Sequence, residues 1–325
     1  MNGRFSSRAG SLFLGAVLFL AAGCDEPFEP KGPFEEKLVV FALLSTHTDT
    51  QYVRLYTTYN PEGYDPSVHT ADNQVAGASI TLAGGGGLWR YNETTVPRSD
   101  KSRYTSDIHA YALLPFTPVP NTTYTLDVRL PDGKQARGTA LVPGRGYLSV
   151  VTLHVLDRPE SFAEDLYVLA SIAPRTRGFL VRFFVEFEVT VNGRREVRRV
   201  EVPQRIRRSP DGEVRERIFP KLQRRTSFDT DQNQGSEYIG FQRDAYLSTL
   251  NDIALTYAAS NPVLKNAVLV LTQVDANLYN YYNVVNGFQD EFTIRTDQPD
   301  VSSIQGGVGM FGAMTVDTVR VSYRH

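Results

Sequence analysis

Hydrophobic and polar positions alternate along most of this chain in short segments, the period of half-buried β-strands. Residues 38–44 form an apolar run, and residues 52–56 alternate. Residues 78–82 alternate again before a turn at 84–87, from which 88–91 return as a hairpin partner. Residues 124–130 alternate and meet Pro131-Asp132-Gly133, side chains suited to a tight turn. This spacing predicts an immunoglobulin-like or transthyretin-like β-sandwich over residues 37–145. Pro143-Gly144-Arg145-Gly146 interrupts the pattern and marks the expected boundary with a β-rich C-terminal domain, residues 146–325. That half opens on an apolar run at 147–155. Its clearest element is a hairpin of residues 181–191 and 194–202 about Asn192-Gly193, a pair that tolerates the positive φ of a two-residue turn. A second hairpin is expected about Pro210-Asp211-Gly212. Helical periodicity is confined to two segments. Residues 243–258 set Leu247, Leu250, Ile253, Ala254 and Tyr257 on one face, and the Tyr-rich residues 276–288 follow Asp275 as a cap. Residues 267–271 read as a buried strand between them. The expected fold is mainly β, with one or two short helices in the second half.

Composition supports a folded body: 41% of the 325 residues are hydrophobic and 22% charged, with 17 Tyr and 18 Phe. A formal net charge of -2 gives no whole-chain reason to expect nucleic acid, so any charged partner must be met locally. The chain contains 1 Cys, which rules out an internal disulfide and draws attention to where it stands. Arg4 and Arg8 precede an apolar run from Leu12 to Leu20, and Ala21-Ala22-Gly23 lead to Cys24, the order of an export signal over residues 1–23. The run is shorter than the roughly 20 residues of a membrane-spanning helix. The small residues before the thiol resemble the bacterial lipobox, although Ala21 stands where Leu is usual. The alternative is an ordinary signal cut near Ala22 that leaves a free thiol. Lipidation at Cys24 predicts stable membrane attachment, because each buried CH₂ contributes about 0.8 kcal/mol. Residues 24–36 are acidic and Pro-rich and are expected to act as an extended tether. Acid directly after Cys24 has two readings, inner-membrane retention or display at the cell surface.

Several motifs bear on chemistry. Gly307-Val308-Gly309-Met310-Phe311-Gly312 has the spacing of a dinucleotide loop, but Val316, Val319, Val321 and Tyr323 continue as a strand, where that mechanism needs a helix. Asp229, Asp231, Asn233 and Glu237 place oxygens at alternate positions, as in a calcium loop; the alternative is a solvated loop leading into the helix. Twelve basic residues between Arg194 and Arg225 (Arg194, Arg195, Arg198, Arg199, Arg205, Arg207, Arg208, Arg215, Arg217, Lys221, Arg224 and Arg225) are expected to set a basic row on one hairpin face. Such a row either meets an acidic surface or deters strand-to-strand aggregation. No nucleic-acid motif accompanies it. His47, His69, His109, His154 and His325 have no metal-ligand spacing, and no nucleophile elbow is present, so no catalytic residues and no enzyme are predicted. Tyr56, Tyr59 and Tyr64 are positioned either to stack on sugar rings or to pack.

Taken together, these residues resemble the Bacteroidetes-type outer-membrane lipoproteins that carry domain of unknown function 4249. The likeness rests on the lipobox at Cys24, Lys37-Leu38-Val39-Val40, the segment from Val75 to Leu82, Tyr124-Thr125-Leu126 leading to Pro131-Asp132-Gly133-Lys134, and the ending Gly306-Gly307-Val308-Gly309-Met310-Phe311-Gly312-Ala313. Before those glycines, Pro299 to Ile304 departs from the family's Asn-rich approach. The resemblance implies an outer-membrane protein, lipid-anchored and facing the cell surface. It further implies a binding or accessory subunit of a TonB-dependent β-barrel receptor, because members are often encoded beside such receptors. The alternatives are a structural envelope lipoprotein without ligand and a surface hydrolase.

Overall fold

The computed structural model describes residues 33–60, 63, 70–225, 234–285 and 302–323. The chain divides into Met1–Glu36 and one compact unit, Lys37–His325. Strands dominate that unit, so the protein is mainly β, with 3 helices among the described residues.

The largest sheet runs in the order β12 (Arg194–Val202), β11 (Gly178–Val191), β17 (Val263–Val274), β19 (Val308–Ser322), β1 (Leu38–Ser45), β2 (Gln51–Thr57), β6 (Ile108–Leu113) and β5 (Asn92–Val96). A short strand, β15 (Gln223–Arg224), pairs with the start of β11. A second sheet is β18 (Ile304–Gln305), β8 (Gln135–Leu141), β7 (Thr123–Arg129), β3 (Ser79–Gly84) and β4 (Gly87–Arg90); a third is β16 (Gly235–Phe241), β10 (Leu166–Ile172) and β9 (Tyr147–Val150). The strands β13 (Arg205–Arg208) and β14 (Val214–Ile218) form a separate hairpin.

Alternation in the sequence sets which faces are buried. On β7, Tyr124, Leu126 and Val128 face inward; on β1, Val40, Ala42 and Leu44 do the same. With Val53, Leu55, Ile80, Leu82 and Tyr111 they form a first core between the second sheet and the β1–β2–β6 end of the large one. Leu166, Val168, Phe183, Val185, Phe187, Phe241 and Leu269 form a second core between the third sheet and the β11–β17 end. Each buried Val, Leu, Ile or Phe side chain here contributes roughly 1.5–3 kcal/mol. The Asn192-Gly193 turn has φ of 49° and 76°, the left-handed pair that the twist of a two-residue hairpin demands.

The expected break at Pro143–Gly146 lies between these cores but does not separate two domains. The long strand β19 serves both. Val308 to Met314 pair in parallel with β1, and Met314 to Ser322 pair antiparallel with β17. Phe311 and Ala313 enter the first core, while Val319, Val321 and Tyr323 pack on the second. Polar side chains from the same strands hold the intervening turn. The buried Gln273 donates from Nε2 to the Gly144 carbonyl at 3.1 Å, and Thr315 donates to the Pro143 carbonyl at 2.7 Å. Asp317 accepts from the Gly146 N–H at 2.8 Å and from Arg145 at 3.0 Å.

The apolar run 147–155 divides between two elements. Only Tyr147–Val150 is strand; helix α1 (Leu153–Asp157) follows and turns Val155 and Leu156 into the second core. A short apolar run satisfies either period, and here the need to bury two consecutive side chains on one side favours the helical one. The other helices are α2 (Arg243–Thr256) and α3 (Ala276–Val285). As expected, Asp275 caps α3: its Oδ1 accepts from the Leu278 N–H at 2.9 Å.

Candidate functional site

Strand β2 turns Val53 and Leu55 into the first core and sends Tyr52, Arg54 and Tyr56 to the opposite face. Arg54 stands opposite Phe41 and Tyr56 opposite Val39 on β1. The Phe41 ring stacks behind Tyr56 at 5.7 Å between centroids and 17° between planes, and Tyr281 of α3 meets Phe41 edge-on at 5.3 Å. This wall bounds a cavity of about 470 Å³ that Arg54, Tyr56, Thr57, Tyr59, Asp72, Asn73, Arg98 and Tyr104 help to line.

The wall formed by residues 71–74 is fixed by backbone bonds from the Thr57 N–H to the Asn73 carbonyl at 3.0 Å and from the Val75 N–H to the Leu55 carbonyl at 3.1 Å. Arg98 is held by an ion pair with Asp72 and donates from Nε to the Ser106 carbonyl at 2.9 Å. The guanidiniums of Arg98 and Arg103 each lie 5.1 Å from the Tyr104 ring centre, and Arg103 also donates to the Tyr59 hydroxyl at 3.3 Å. Arg54 differs from these. It has no hydrogen bond or ion pair among the described residues, and its Nε is buried with no acceptor. Leaving a buried donor unmet costs about 1–3 kcal/mol or more for a charged group. Burial pushes the Tyr56 hydroxyl up to about 12, against the lowering effect of Arg54, so the phenol stays neutral at physiological pH.

Of the tyrosines expected from sequence, Tyr56 and Tyr59 therefore share one cavity, and Tyr64 lies outside the described residues. Arg54, Asp72, Arg98 and Tyr104 were not anticipated. The alternation Tyr52-Val53-Arg54-Leu55-Tyr56 is the one sequence signal that placed Arg54 beside Tyr56 on a common face. Cys24, Asp229, Asp231 and Asn233 lie outside the described residues; Glu237 sits half-buried on β16 opposite Ala170. Among the described residues, no group of three or more His, Cys, Asp or Glu is placed to hold a metal. His109 stands near Glu93 at 3.7 Å and His154 pairs with Glu164; His69 and His325 lie outside the described residues.

The basic row expected on one hairpin face is split between two. On β12, Arg198 shares the core-facing side with Val200 and Val202 and lies 5.3 Å from the Tyr257 ring centre. On the other side, Arg199 lies 3.7 Å over Phe184, while Arg195 meets Glu188 at 3.5 Å. Glu186 and Glu188 of β11 face these arginines across the strands, and Glu201 receives Arg182. Farther along, Arg208 clasps Asp244 with two bonds of 2.7 and 2.9 Å, and Arg217 meets Asp252 at 2.7 Å, so the β13–β14 hairpin is tied to α2. Strand alternation distributes the charges, and acids on neighbouring strands and on α2 pair with Arg195, Arg207, Arg208 and Arg217.

The glycines near the C-terminus have a packing role. At Gly309 φ is +122°, and the Val40 carbonyl occupies the space a Cβ would take. A Cβ at Gly312 would stand 2.9 Å from the Leu278 Cβ of α3. The motif allows β19 to lie close to β1 and to α3, and the residues after it continue as strand with no helix to face a phosphate.

Fold and cavity together define a mainly β protein with two sandwich cores sharing one strand and a cationic, tyrosine-lined recess on a sheet face. The chain belongs to the family described as Domain of unknown function (DUF4249), whose model matches residues 25–320. Among solved structures it is similar to a DUF4785 family protein from Legionella pneumophila subsp. pneumophila, at 10% identity and a TM-score of 0.21. That match covers 72% of this chain and 50% of the other, so it spans half the length of the Legionella protein. No curated protein matches the chain.

Proposed function

We propose that the protein is a lipoprotein anchored through Cys24 in the outer membrane, facing outward, and that it captures a ligand as the accessory subunit of a TonB-dependent β-barrel receptor. The observation that carries the binding role is the cavity beside β2, where the Arg54 guanidinium lies 5.9 Å from the Tyr56 ring centre and has no ion pair or hydrogen bond among the described residues. A binding site prepared in advance spends little energy on ordering when a ligand arrives. Asp72, a carboxylate in this cavity, is tied to Arg98, an arrangement that suits recognition more than proton transfer.

The anchor and tether supply the second half of the reading. A body fixed to a membrane meets any receptor in the same leaflet at a raised effective concentration, so a weak interface suffices. The outer face of the third sheet is a suitable surface, for Tyr147, Val151, Tyr167 and Tyr238 are exposed together on β9, β10, β16 and the residue after β9. Aromatic side chains of this kind are enriched at protein interfaces.

Deleting residues 37–325 while keeping the signal and tether is expected to impair growth on the receptor's nutrient without lowering receptor abundance. Purification in mild detergent is expected to recover the receptor with the intact protein. If the protein purifies alone after crosslinking and its deletion leaves uptake unchanged, the accessory reading fails and a structural envelope role replaces it.

A further inference from the structure

We propose that the cavity beside β2 holds an acidic sugar, a uronic acid residue of a carboxylated glycan, with its carboxylate on Arg54 and its ring against the tyrosines. This deepens the reading of the protein as a ligand-capturing subunit and rests on it.

Three features of the cavity converge on that chemistry. The first is the difference between its two lining arginines. Arg98 is satisfied by Asp72 and the Ser106 carbonyl, whereas Arg54 has neither a carboxylate nor a carbonyl among the described residues, and its buried Nε lacks an acceptor. A guanidinium presents a planar fork that matches a carboxylate, and a ligand carboxylate supplies the counter-charge that Arg54 lacks.

The second feature is the aromatic surface. Tyr56 has Phe41 stacked on it and the Arg54 guanidinium 5.9 Å from its ring centre, and Tyr104 is flanked by the guanidiniums of Arg98 and Arg103. These contacts hold the rings in position before a ligand enters, and a cavity of about 470 Å³ falls within the size of small-molecule sites. The third is a set of unused polar groups. Among the described residues, neither the Asn73 amide nor the Thr57 hydroxyl has a side-chain hydrogen bond, and both residues line the cavity.

A ligand that uses all three features carries an anion, a flat low-polarity face and several hydroxyls. An inorganic anion uses only the first feature. An aromatic carboxylic acid uses the first two and leaves Asn73 and Thr57 unmatched. A neutral sugar uses the last two and leaves Arg54 without a counter-charge. A uronic acid uses all of them.

The test is isothermal titration calorimetry on the full chain in mild detergent, with trimers of galacturonate and of glucuronate, the neutral galactose trimer, benzoate and inorganic phosphate. At least one acidic trimer is expected to bind, with the other three probes at least about tenfold weaker. Arg54→Gln is expected to weaken the acidic trimer by roughly ten- to a hundredfold, the range for losing a hydrogen bond to a charged group. Asn73→Ala, a loop substitution that leaves the strands intact, is expected to weaken it severalfold, and circular dichroism melts establish that both variants fold.

Equal binding of the neutral trimer overturns the proposal, as does an unchanged affinity in a folded Arg54→Gln variant. Benzoate or phosphate bound as tightly reassigns the cavity to an aromatic acid or a simple anion, and no binding of any probe also overturns the assignment. Receptor co-purification is measured on the same preparations. Retained receptor without acidic-sugar binding sinks the ligand class alone, and acidic-sugar binding without receptor sinks the accessory role alone.

Discussion

Replacing Asp275 by Asn is expected to change how stability depends on pH. The Asp275 side chain is buried at the start of α3, where its Oδ1 accepts from Leu278 and its own N–H donates to the Ala313 carbonyl at 3.0 Å. Burial pushes its carboxyl up to about 7 from an ordinary 3.8, opposed by backbone hydrogen bonds at Leu278, Ala313 and Leu141. Between those two values the native state keeps a proton that the unfolded chain has released. Native stability therefore falls as pH rises from about 4 to about 7 and levels off above that. Across pH 5 to 8 the loss from this one group is roughly 2–3 kcal/mol. Asn keeps a cap oxygen for Leu278 and does not ionise, so Asp275→Asn is expected to gain on the wild type by that amount over the same window. Asp275→Ala also removes the ionisation but loses the cap, at a cost of about 1 kcal/mol at every pH. Urea denaturation of the full chain at several pH values measures all three. A difference between wild type and Asp275→Asn that does not change with pH, or that runs in the opposite direction, refutes the reasoning.

Three other perturbations test separate parts of the structure. Asp317→Ala leaves the Gly146 N–H without its acceptor and is expected to cost about 1–3 kcal/mol, lowering the thermal midpoint and speeding proteolysis at Arg145; an unchanged midpoint would show that Asp317 does not hold the turn. Gly309→Ala sets a Cβ against the Val40 carbonyl in a backbone conformation that L-residues avoid, and is expected to cost roughly 3 kcal/mol or more, seen as a lower urea midpoint or insoluble protein. Cys24→Ser is expected to release the protein from membranes and abolish labelling by a fatty-acid analogue; a wild-type chain that takes up no label sinks the lipoprotein reading.

Local chemistry was the legible part of this fold. Asn192-Gly193 forms the hairpin its residues require, Pro131-Asp132-Gly133 turns β7 into β8, and Asp275 caps a helix that begins at the next residue. Each of these features depends on neighbours within a few positions. The sharing of β19 by two cores depends instead on pairings with β1, some 270 residues earlier in the chain, and with β17. Alternation along β19 fixes which faces are apolar and carries no information about which partner each half will meet. The cavity has the same difficulty. Tyr56 and Arg54 come from one strand, but Asp72, Arg98 and Tyr104 arrive on loops, and nothing in their spacing brings them together. The charged hairpins misled for a related reason: counting arginines along β12 omits Glu186 and Glu188, which lie across the pairing on β11.

The glycine-rich ending and the cavity are linked through packing, although they share no lining residue. Gly312 lacks a side chain where Leu278 of α3 crosses β19, and so the helix can lie close to the sheet. Asp275 fixes where that helix begins, and from there Tyr281 falls against the edge of Phe41. Phe41 in turn stacks on Tyr56, the ring that forms one wall of the cavity. Each contact restricts the next, because close-packed side chains pass on displacements that a looser interior would absorb. The most distinctive motif in the chain thus acts on the candidate site from behind, by setting the position of a tyrosine, and it does so without reaching the space where a ligand would bind.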